Sequence, residues 1–353
     1  MTRTLALLTL CLLASPAPAA DPVPLTPKQL ADGWVKLFDG ESTIGWPKGA
    51  TVEDGKLVFT APADAALSVP LPATHTGEYE VDYTFRRVNL AAKGSPSIRG
   101  FSRRDGGPSV ATSESSSQVP AQLEFHRNGT RTFELPKGDI TANLNVPAGG
   151  RISIAKFLFR PVGTTPIFDG KTLDGWKLYA GDPKRERSKF DVTAEGELRV
   201  TDGPGDLQTT AKYADFLLSF DCKTRGKNLN SGVFFRCLPG EYQAGYEAQV
   251  HNGFAGDDRT KPTDFGTGAI YRRVPARKVI SNDNEWFTMT VLAVGPTIRT
   301  WVNGEPVVSW TDDRPRDDNA RKGLRTAAGH LSIQGHDPTT DILFRNLRVL
   351  DIK

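Results

Sequence analysis

The sequence predicts an all-β protein built from two tandem β-sandwiches, and three observations support this fold class. A ten-residue phrase occurs twice, as LFDGESTIGW at residues 37–46 and as IFDGKTLDGW at residues 167–176. Short segments that alternate apolar and polar residues recur along the chain, whereas helical periodicity over ten or more residues is nearly absent. The 353 residues include 34 glycines and 25 prolines, and such a content favours frequent turns between short strands.

The repeated phrase indicates where each structural unit begins. In each copy an Asp-Gly pair supplies a turn, and the tryptophan that follows buries a large aromatic surface. The copies are about 130 residues apart, which predicts a first sandwich over residues 34–162 and a second over 163–353, after a linker at 21–33. Both units close on similar apolar segments, 152–162 and 341–352. The first and last strands of each unit are therefore expected to be neighbours.

The remaining elements follow from local pattern. Period-two alternation predicts strands, and a Ser-rich polar stretch predicts an irregular loop. In chain order, we expect a single helical turn at 26–32, strands at 79–85, 122–126, 196–200 and 288–294, and the Ser-rich loop at 109–118.

The N-terminus has the pattern of a secretory signal peptide over residues 1–20. Arg3 precedes an apolar run at 5–13, and the small residues at 17–20 are typical of a signal peptidase site. The run is too short to span a bilayer, so we expect cleavage near Ala19 or Ala20 and a secreted or periplasmic protein without membrane insertion. Cys11 lies inside the apolar run, a position that argues against lipidation.

The charge balance excludes one large class of partners. The chain has 44 basic and 41 acidic residues, a net charge of +3, and loss of Arg3 with the signal lowers this to +2. This is no electrostatic footprint for nucleic acid. The densest basic run, residues 184–189, follows a turn and is typical of a solvated surface.

Two cysteines remain after removal of the signal, Cys222 and Cys237. An even pair in an exported protein is a candidate disulfide. Both residues lie in strand-like runs, so a cross-strand bridge would form if these strands pair. Two buried thiols are the alternative.

Polar side chains recur at every second position of three predicted strands. Side chains at i, i+2 and i+4 share one face of a strand, at about 6.5 Å per step. This rule places Glu247, Gln249 and His251 in one row, opposite an apolar row. It also groups His330, Ser332, Gln334 and His336 on another strand, and Phe234 with Arg236 on a third.

In one sheet, these strands would present a single polar surface, comprising Arg236, Glu247, Gln249, His251, Gln334 and His336. Amides and charges bind sugar hydroxyl groups, and flat aromatic faces bind sugar C–H surfaces. Tyr271, Trp286 and Trp301 are candidates for such an aromatic rim. Taken singly, each polar residue is better explained by an ordinary solvent-facing position on an antiparallel sheet, but the recurrence of the pattern on three strands favours a site.

The second unit resembles a known family, the 3-keto-disaccharide hydrolase or 3-keto-glucoside lyase/hydratase domains, once labelled only as a domain of unknown function. The resemblance extends over residues 167–352. It rests on these stretches, which occur in the family's order: IFDGKTLDGW, LNSGVFFR, GYEAQVHN, GTGAIY, NEWFTMTV, TWVNGEPVVSW and LSIQGHDPTTDILFRNLRV.

The resemblance implies a concanavalin A-like jelly roll with an active groove on its concave sheet. It also implies activity on glycosides whose sugar is oxidised to a ketone at carbon 3. The family's motif residues correspond to Arg236, Glu247, Gln249, Tyr271, Gln334 and His336. The sequence departs from the family at His251, where an Asp is usual, and at Phe287, where an Asn is usual.

The residues fit this substrate class better than ordinary glycoside hydrolysis, which requires two carboxylates, because the predicted surface offers only Glu247. A ketone at carbon 3 acidifies the proton on carbon 2, so one base can form an enolate that expels the group on carbon 1. We expect Glu247 or His336 to be the base and Arg236 to stabilise the enolate. His251 or Gln249 would assist the leaving oxygen, and Phe234 and Trp286 would contact the substrate.

Three of these residues allow a different interpretation. Glu247, His251 and His336 are suitable ligands for a divalent metal, although no HExxH-type spacing is present. The sequence implies no other cofactor.

The first unit is expected to be a diverged accessory or binding module. Its strands offer Arg99, Gln122, Glu124 and His126 at positions that correspond to the second unit's polar residues, but its later motifs are missing. Two functions therefore remain open for the whole chain. One is an exported enzyme that cleaves 3-keto glycosides, and the other is a non-catalytic tandem carbohydrate-binding or adhesion module. The partner in either case is an oligosaccharide or glycoside, and the oligomeric state stays open.

Overall fold

The structure is a computed structural model that describes residues 24–72, 77–87, 96–102, 122–124, 128–135, 140–319 and 322–352. The predicted signal peptide and the predicted Ser-rich loop lie outside the described residues, as does His126.

Strands dominate the N-terminal half of the chain. The elements there are α1 (Pro27–Ala31), β1 (Val35–Phe38), β2 (Thr51–Glu53), β3 (Lys56–Thr60), β4 (Leu67–Pro70), β5 (Gly77–Arg87), β6 (Ser97–Ser102), β7 (Gln122–Glu124), β8 (Asn128–Leu135), β9 (Ile140–Val146) and β10 (Gly150–Pro161).

Strands also dominate the C-terminal half, which adds one short 3-10 helix at Pro183–Arg185. The strands are β11 (Thr165–Pro166), β12 (Trp176–Leu178), β13 (Lys189–Val192), β14 (Leu198–Thr201), β15 (Gly205–Thr209), β16 (Asp215–Thr224), β17 (Ser231–Cys237), β18 (Tyr246–Val250), β19 (Phe287–Val294), β20 (Thr297–Val302), β21 (Glu305–Thr311), β22 (His330–Gly335) and β23 (Asp341–Ile352).

The helical turn predicted at 26–32 is confirmed as α1. The Thr26 side chain accepts a hydrogen bond from the Gln29 backbone amide at 3.2 Å, and the Gln29 side chain accepts one from the Thr26 amide at 2.9 Å. This reciprocal cap satisfies two amide groups that the first helical turn leaves without an intrahelical partner. In the part of the chain that the structure describes, no helix is long and apolar enough to cross a bilayer.

The two halves have the same strand order. In the first unit one sheet runs β2-β3-β10-β5-β8, with β1 on β10, and the other runs β4-β9-β6-β7. In the second unit one sheet runs β13-β14-β23-β16-β19-β20-β21, with β11 on β23, and the other runs β12-β15-β22-β17-β18. Aligning β10 with β23 superimposes the two orders strand by strand, so the protein is a tandem pair of antiparallel β-sandwiches, as predicted.

The repeated phrase has the same hydrogen bonds in both units. The Oδ1 atom of Asp39 accepts from the backbone amides two and three residues ahead, at 2.9 and 2.7 Å, and Asp169 does so at 2.8 Å from both. The indole N–H of Trp46 donates to the backbone carbonyl nine residues before it at 2.7 Å, and that of Trp176 does the same at 2.7 Å. Each phrase therefore folds into a turn that is closed by its own tryptophan.

The first unit packs against the outer face of the second unit's larger sheet. The apolar cluster of the first unit includes Leu217, Leu292, Trp301 and Ile352, which belong to that sheet. The Trp301 indole donates to the Lys36 carbonyl at 2.7 Å. Trp301 therefore joins the two units, and its predicted place on the rim of a sugar site is wrong.

The two cysteines lie on strands of different sheets, so the cross-strand disulfide is not formed. β16, which carries Cys222, pairs with β19 and β23, whereas β17, which carries Cys237, pairs with β18 and β22. Both residues are buried thiols, which was the alternative. Burial, with a smaller contribution from the neighbouring Asp221 carboxylate, raises the pKa of the Cys222 thiol well above its ordinary value.

Candidate functional site

The smaller sheet of the second unit has one apolar face and one polar face. Leu207, Ile333, Val233 and Ala248 lie opposite one another on neighbouring strands and enter the core. The residues between them must point away from the core. We call these outward residues the polar floor: Asp206, Gln208, Ser332, Gln334, Phe234, Glu247, Gln249 and His251.

Strand register brings the floor residues together in rows. Gln208 lies opposite Ser332, Ser332 opposite Phe234, and Phe234 opposite Glu247. In the next row Asp206 lies opposite Gln334, and Gly232 opposite Gln249. Neighbouring strands are about 4.8 Å apart, so each row spans a surface long enough for a sugar ring and its substituents.

Glu247 is seated above a glycine. A Cβ atom at Gly232 would lie 2.4 Å from the Glu247 Oε1 atom, closer than atoms can approach. The Glu247 side chain therefore lies over Gly232 of the neighbouring strand β17, and only 8% of its surface is exposed. The absence of a side chain at Gly232 is what allows a carboxylate at the centre of the floor.

The Gln249 side chain is oriented by a neighbouring loop. Its Nε2 atom donates to both the backbone carbonyl and the carboxylate of Asp264, each at 3.1 Å. Asp264 also accepts from the Asn230 side chain at 2.5 Å. With the amide nitrogen fixed in this way, Gln249 presents its carbonyl oxygen as an acceptor.

Three buried polar atoms on the floor have no hydrogen-bond partner within the described part of the chain: Gln249 Oε1, Ser332 Oγ and Gln334 Oε1. A buried polar group without a partner costs about 1–3 kcal/mol, so the chain holds these atoms at a cost to its own stability. Two are pure acceptors, which require donors from a ligand, and sugar hydroxyl groups are such donors.

His251 directly follows β18 and lies on the same side of the chain as Glu247 and Gln249. It is 9% exposed, its backbone amide donates to the Thr267 hydroxyl at 2.9 Å, and its Nδ1 atom accepts from the Gly253 amide at 3.3 Å. Because Nδ1 is an acceptor, the neutral ring carries its proton on Nε2. The side chain can then donate a hydrogen bond, as the predicted assistance to a leaving oxygen requires.

His336 lies one residue beyond β22, in an exposed turn. Its side chain is 40% exposed, and its Nδ1 atom is 2.8 Å from the Asp337 carboxylate. Burial alone would raise the pKa of Asp337, but hydrogen bonds from Thr339 and His336 outweigh burial and lower it. His336 is thus at the end of the floor rather than within it.

The predicted metal triad is not assembled. Among the residues that the structure describes, no three His, Cys, Asp or Glu side chains lie close enough together to hold a metal ion. Glu247, His251 and His336 are therefore separate groups in this arrangement.

Arg236 is not on the floor, which corrects its predicted role. The pairing of β17 with β22 shifts register between Phe234 and Cys237, and Arg236 has a φ of 55°. Its guanidinium is fully buried. It donates to Ala214 O at 2.6 Å, to Gly295 O and Arg325 O at 2.7 Å, and to Asp215 at 3.0 Å. Fixed by these partners, it cannot reach an enolate on the other face.

Trp286 is also misplaced by the sequence prediction. It directly precedes β19, which belongs to the larger sheet, and the Arg345 guanidinium lies 4.0 Å from its ring centroid. The predicted Tyr271 does adjoin the floor, because its amide donates to the Glu247 carbonyl at 3.0 Å. Its ring packs against Phe265 with 5.2 Å between centroids.

Two carboxylates near the floor were missed from the sequence, so the prediction that Glu247 is the single carboxylate there is wrong. Asp206 is 2% exposed, lies opposite Gln334 and accepts two hydrogen bonds from Gln243 at 3.3 Å. Its signal was present, since Asp206 and Gln208 flank the apolar Leu207. Asp264 lies in a loop, where no period shows which way a side chain points.

A separate cavity of about 350 Å³ adjoins the second copy of the repeated phrase. It contains none of the floor residues. Its lining is formed by Pro166, Ile167, Phe168, Asp169, Asp174, Gly175, Thr209, Thr210, Ala211 and Tyr213.

Comparison with known proteins places a family match in the second unit. Residues 163–350 match the family described as a 3-keto-alpha-glucoside-1,2-lyase-like domain. A 3-keto-disaccharide hydrolase from Bacteroides thetaiotaomicron is 30% identical over 129 residues, which are 35% of this chain and 38% of that relative. The aligned part is thus well under half the length of that curated relative.

Two solved structures illustrate the range of similar folds. A Parabacteroides distasonis protein, described provisionally as a glycosyl hydrolase, is 22% identical with a TM-score of 0.44, covering 54% of this chain and 94% of its own. A Bacillus subtilis carbohydrate-binding module, CBM66, is 16% identical with a TM-score of 0.35, covering 49% and 93%. Since the family model matches more than half of the chain, the protein belongs to the 3-keto-alpha-glucoside-1,2-lyase-like domain family.

Proposed function

We propose that the protein cleaves glycosides whose sugar carries a ketone at carbon 3, and that it does so on the polar floor. The observation that carries this proposal is the set of three unpartnered buried polar atoms around the Glu247 carboxylate. Family membership supports the substrate class, and the floor supports a saccharide ligand through its acceptors.

Glu247 is the proposed base. It removes the proton on carbon 2, and the electron pair forms an enolate with the ketone. Collapse of the enolate breaks the bond from carbon 1 to the leaving oxygen, which gives a keto sugar with a double bond between carbons 1 and 2. Addition of water across that double bond completes a net hydrolysis, so elimination and hydrolysis share their first step.

His251 is the proposed donor to the departing oxygen, because its neutral ring carries the proton on Nε2. Since Arg236 is buried away from the floor, the proposal gives it no part in stabilising the enolate. His336 is the second candidate base, and its place at the end of the floor ranks it after Glu247.

The test is turnover of a 3-keto disaccharide beside its unoxidised parent, followed by released sugar and by enone absorbance, with and without EDTA. We expect turnover of the keto compound alone and a loss of about 10²–10⁴-fold in Glu247→Gln. Glu241→Gln is the matched control, since that exposed residue contacts Gln208 through its backbone carbonyl.

Full turnover in both Glu247→Gln and His336→Ala would contradict the proposal. Saccharide binding without turnover of either compound would instead favour the non-catalytic carbohydrate-binding module. We further propose export to the periplasm or medium, which N-terminal sequencing of the mature protein near Ala20 would test.

A further inference from the structure

We infer a second subsite at the side of the polar floor formed by β12 and β15, which binds an anionic substituent of the saccharide, a carboxylate or a sulfate. The inference rests on the proposed function only in taking the ligand to be a saccharide. It is carried by an aromatic pair, by the loop that ties this pair to the floor, and by one arginine.

The aromatic pair consists of Tyr179, which directly follows β12, and Tyr242 in the loop between β17 and β18. Their ring centroids are 5.3 Å apart with an interplanar angle of 58°. A Cβ atom at Gly181 would lie 2.6 Å from the Tyr179 hydroxyl oxygen, so the ring folds back over a glycine. Both tyrosines are half-buried, and such rings offer apolar faces to sugar C–H groups.

Hydrogen bonds tie this pair to the floor. The Gln243 side chain donates to the Tyr242 hydroxyl at 2.8 Å and to Asp206 at 3.3 Å. The Gln208 side chain donates to the Glu241 carbonyl at 3.3 Å. The loop that carries Tyr242 is thus anchored to two floor residues, and the tyrosines form a wall beside the saccharide surface.

The Arg185 guanidinium supplies the positive charge of the inferred subsite. Its guanidinium carbon lies 4.8 Å from the Tyr242 ring centroid, and the side chain is exposed. Within the described residues this guanidinium has no carboxylate or carbonyl partner. A guanidinium stacked on a ring keeps its N–H groups free at its edge, where they match a carboxylate or sulfate in a bidentate manner.

The position of Arg185 is set by the backbone. Its 3-10 helix is capped by Asp182, whose side chain accepts from the Lys184 amide at 3.0 Å, and Glu186 pairs with Gly205 on β15. Residues 177–189 contain five basic and two acidic side chains. The segment along this edge of the sheet therefore has a positive balance that favours an anion.

The experiment measures binding of three unoxidised probes to the full mature chain by calorimetry: cellobiose, cellobiouronic acid and cellobiose 6-sulfate. We expect the anionic probes to bind about tenfold more tightly than cellobiose, with an advantage that declines as salt is added. Arg185→Gln should abolish the advantage. Arg187→Gln, two residues away without a ring contact, should retain it.

Preference for one anion over the other would identify its source as a uronic acid or a sulfate ester, and either result supports the subsite. Equal affinity for all three probes, or an unchanged preference in Arg185→Gln, would overturn it. Turnover of a keto disaccharide without any charge preference refutes the subsite alone. A charge preference without turnover refutes the proposed reaction and leaves the subsite standing.

Discussion

At the scale of single residues, the site depends on a missing side chain. Gly232→Ala would place a methyl group where the Glu247 carboxylate lies, since a Cβ atom there would be 2.4 Å from the Glu247 Oε1 atom, and the carboxylate would have to move. We expect kcat to fall by about 10²-fold, because small displacements of a catalytic group are costly. Steady-state kinetics of the variant, with thermal unfolding as a check on folding, tests this expectation.

The control is the same substitution in a Glu247→Gln background. If the methyl group acts through the carboxylate, it should have little further effect there. Equal losses in both backgrounds would show that Gly232 matters for another reason.

Arg236 leads to the opposite kind of prediction, a loss of stability. Arg236→Gln leaves Asp215 buried without its charge partner, and breaking a buried ion pair costs about 3–5 kcal/mol. Urea unfolding should show this loss, whereas Arg225→Gln, an exposed arginine 3.8 Å from Asp341, should change stability by less than about 0.5 kcal/mol. An Arg236→Gln protein with normal stability and no turnover would restore the catalytic role.

At the scale of elements, the edge of β18 is completed by the loop that follows it. The amides of Gln249 and Tyr271 pair with carbonyls across this edge, and Asp264 holds the Gln249 amide. Asp264→Ala should therefore let the Gln249 side chain rotate and raise KM about tenfold. Asp258→Ala in the same loop, a partly exposed residue paired with Lys261, should leave KM unchanged.

A result in which both substitutions raise KM equally would mean that the loop responds to any lost carboxylate. Only a specific effect at Asp264 would link the loop to the orientation of the floor amide.

Asp312, which accepts a hydrogen bond from Tyr246 at the start of β18, leads to a pH prediction. Burial alone would raise the pKa of Asp312, but hydrogen bonds from Arg314 and Tyr246 outweigh burial and lower it. Since the folded pKa lies below the unfolded value, this stability is present above about pH 4 and is lost as pH falls through the folded pKa. Asp312→Asn should reduce the free energy of unfolding at neutral pH by about 1–3 kcal/mol. It should also make that free energy less dependent on pH in the acid range.

Urea unfolding between about pH 3 and pH 6 measures this pH dependence of the free energy of unfolding. The exposed neighbour Asp313 provides the control, and Asp313→Asn should retain the pH dependence of the intact protein. An unchanged pH dependence in Asp312→Asn would mean that other groups cause the acid sensitivity.

The extent to which the sequence predicts this site follows from the regularity of its strands. Alternation correctly predicted the faces of Glu247, Gln249 and Gln334, because β18 and β22 are uninterrupted over these positions. It failed at Arg236, where the register shift and a positive φ remove the period on which the rule depends.

Most of the predicted aromatic rim was wrong for a different reason. Trp286 and Trp301 were assigned to a site by composition, yet strand order decides which sheet each one joins, and alternation carries no information about strand order. Tyr271 was predicted correctly, whereas the other rings near the floor, Tyr179, Tyr242 and Phe265, lie in connections where no local period exists.

At the scale of the whole molecule, the first unit contacts the loop that completes the site. The Asp39 carboxylate, 1% exposed, lies 2.7 Å from the Arg277 guanidinium, and Glu41 lies 3.4 Å from it. Arg277 also donates to the Pro306 carbonyl at 2.8 Å. In the second copy of the phrase, Asp169 makes the same turn and is exposed. The first copy thus uses its turn to hold a neighbouring sandwich.

A short path leads from this ion pair to the floor. The residue before Arg277, Ala276, donates its amide to the Phe265 carbonyl at 2.8 Å. Phe265 is adjacent to Asp264, which fixes the Gln249 amide. This path predicts that the first unit braces the loop that holds the Gln249 amide.

The last prediction tests this brace with Asp39→Asn, Arg277→Gln and the double variant. Each single change should raise KM about fivefold to tenfold, and the double variant should be no worse than either, because residues of one ion pair are not additive. Hydrogen exchange in residues 264–276 should accelerate in all three. Lys278→Gln, whose side chain is 3.5 Å from Glu41, is the control and should change neither quantity. Unchanged exchange in that segment would limit the first unit to general stability, since a brace must alter the loop that it holds.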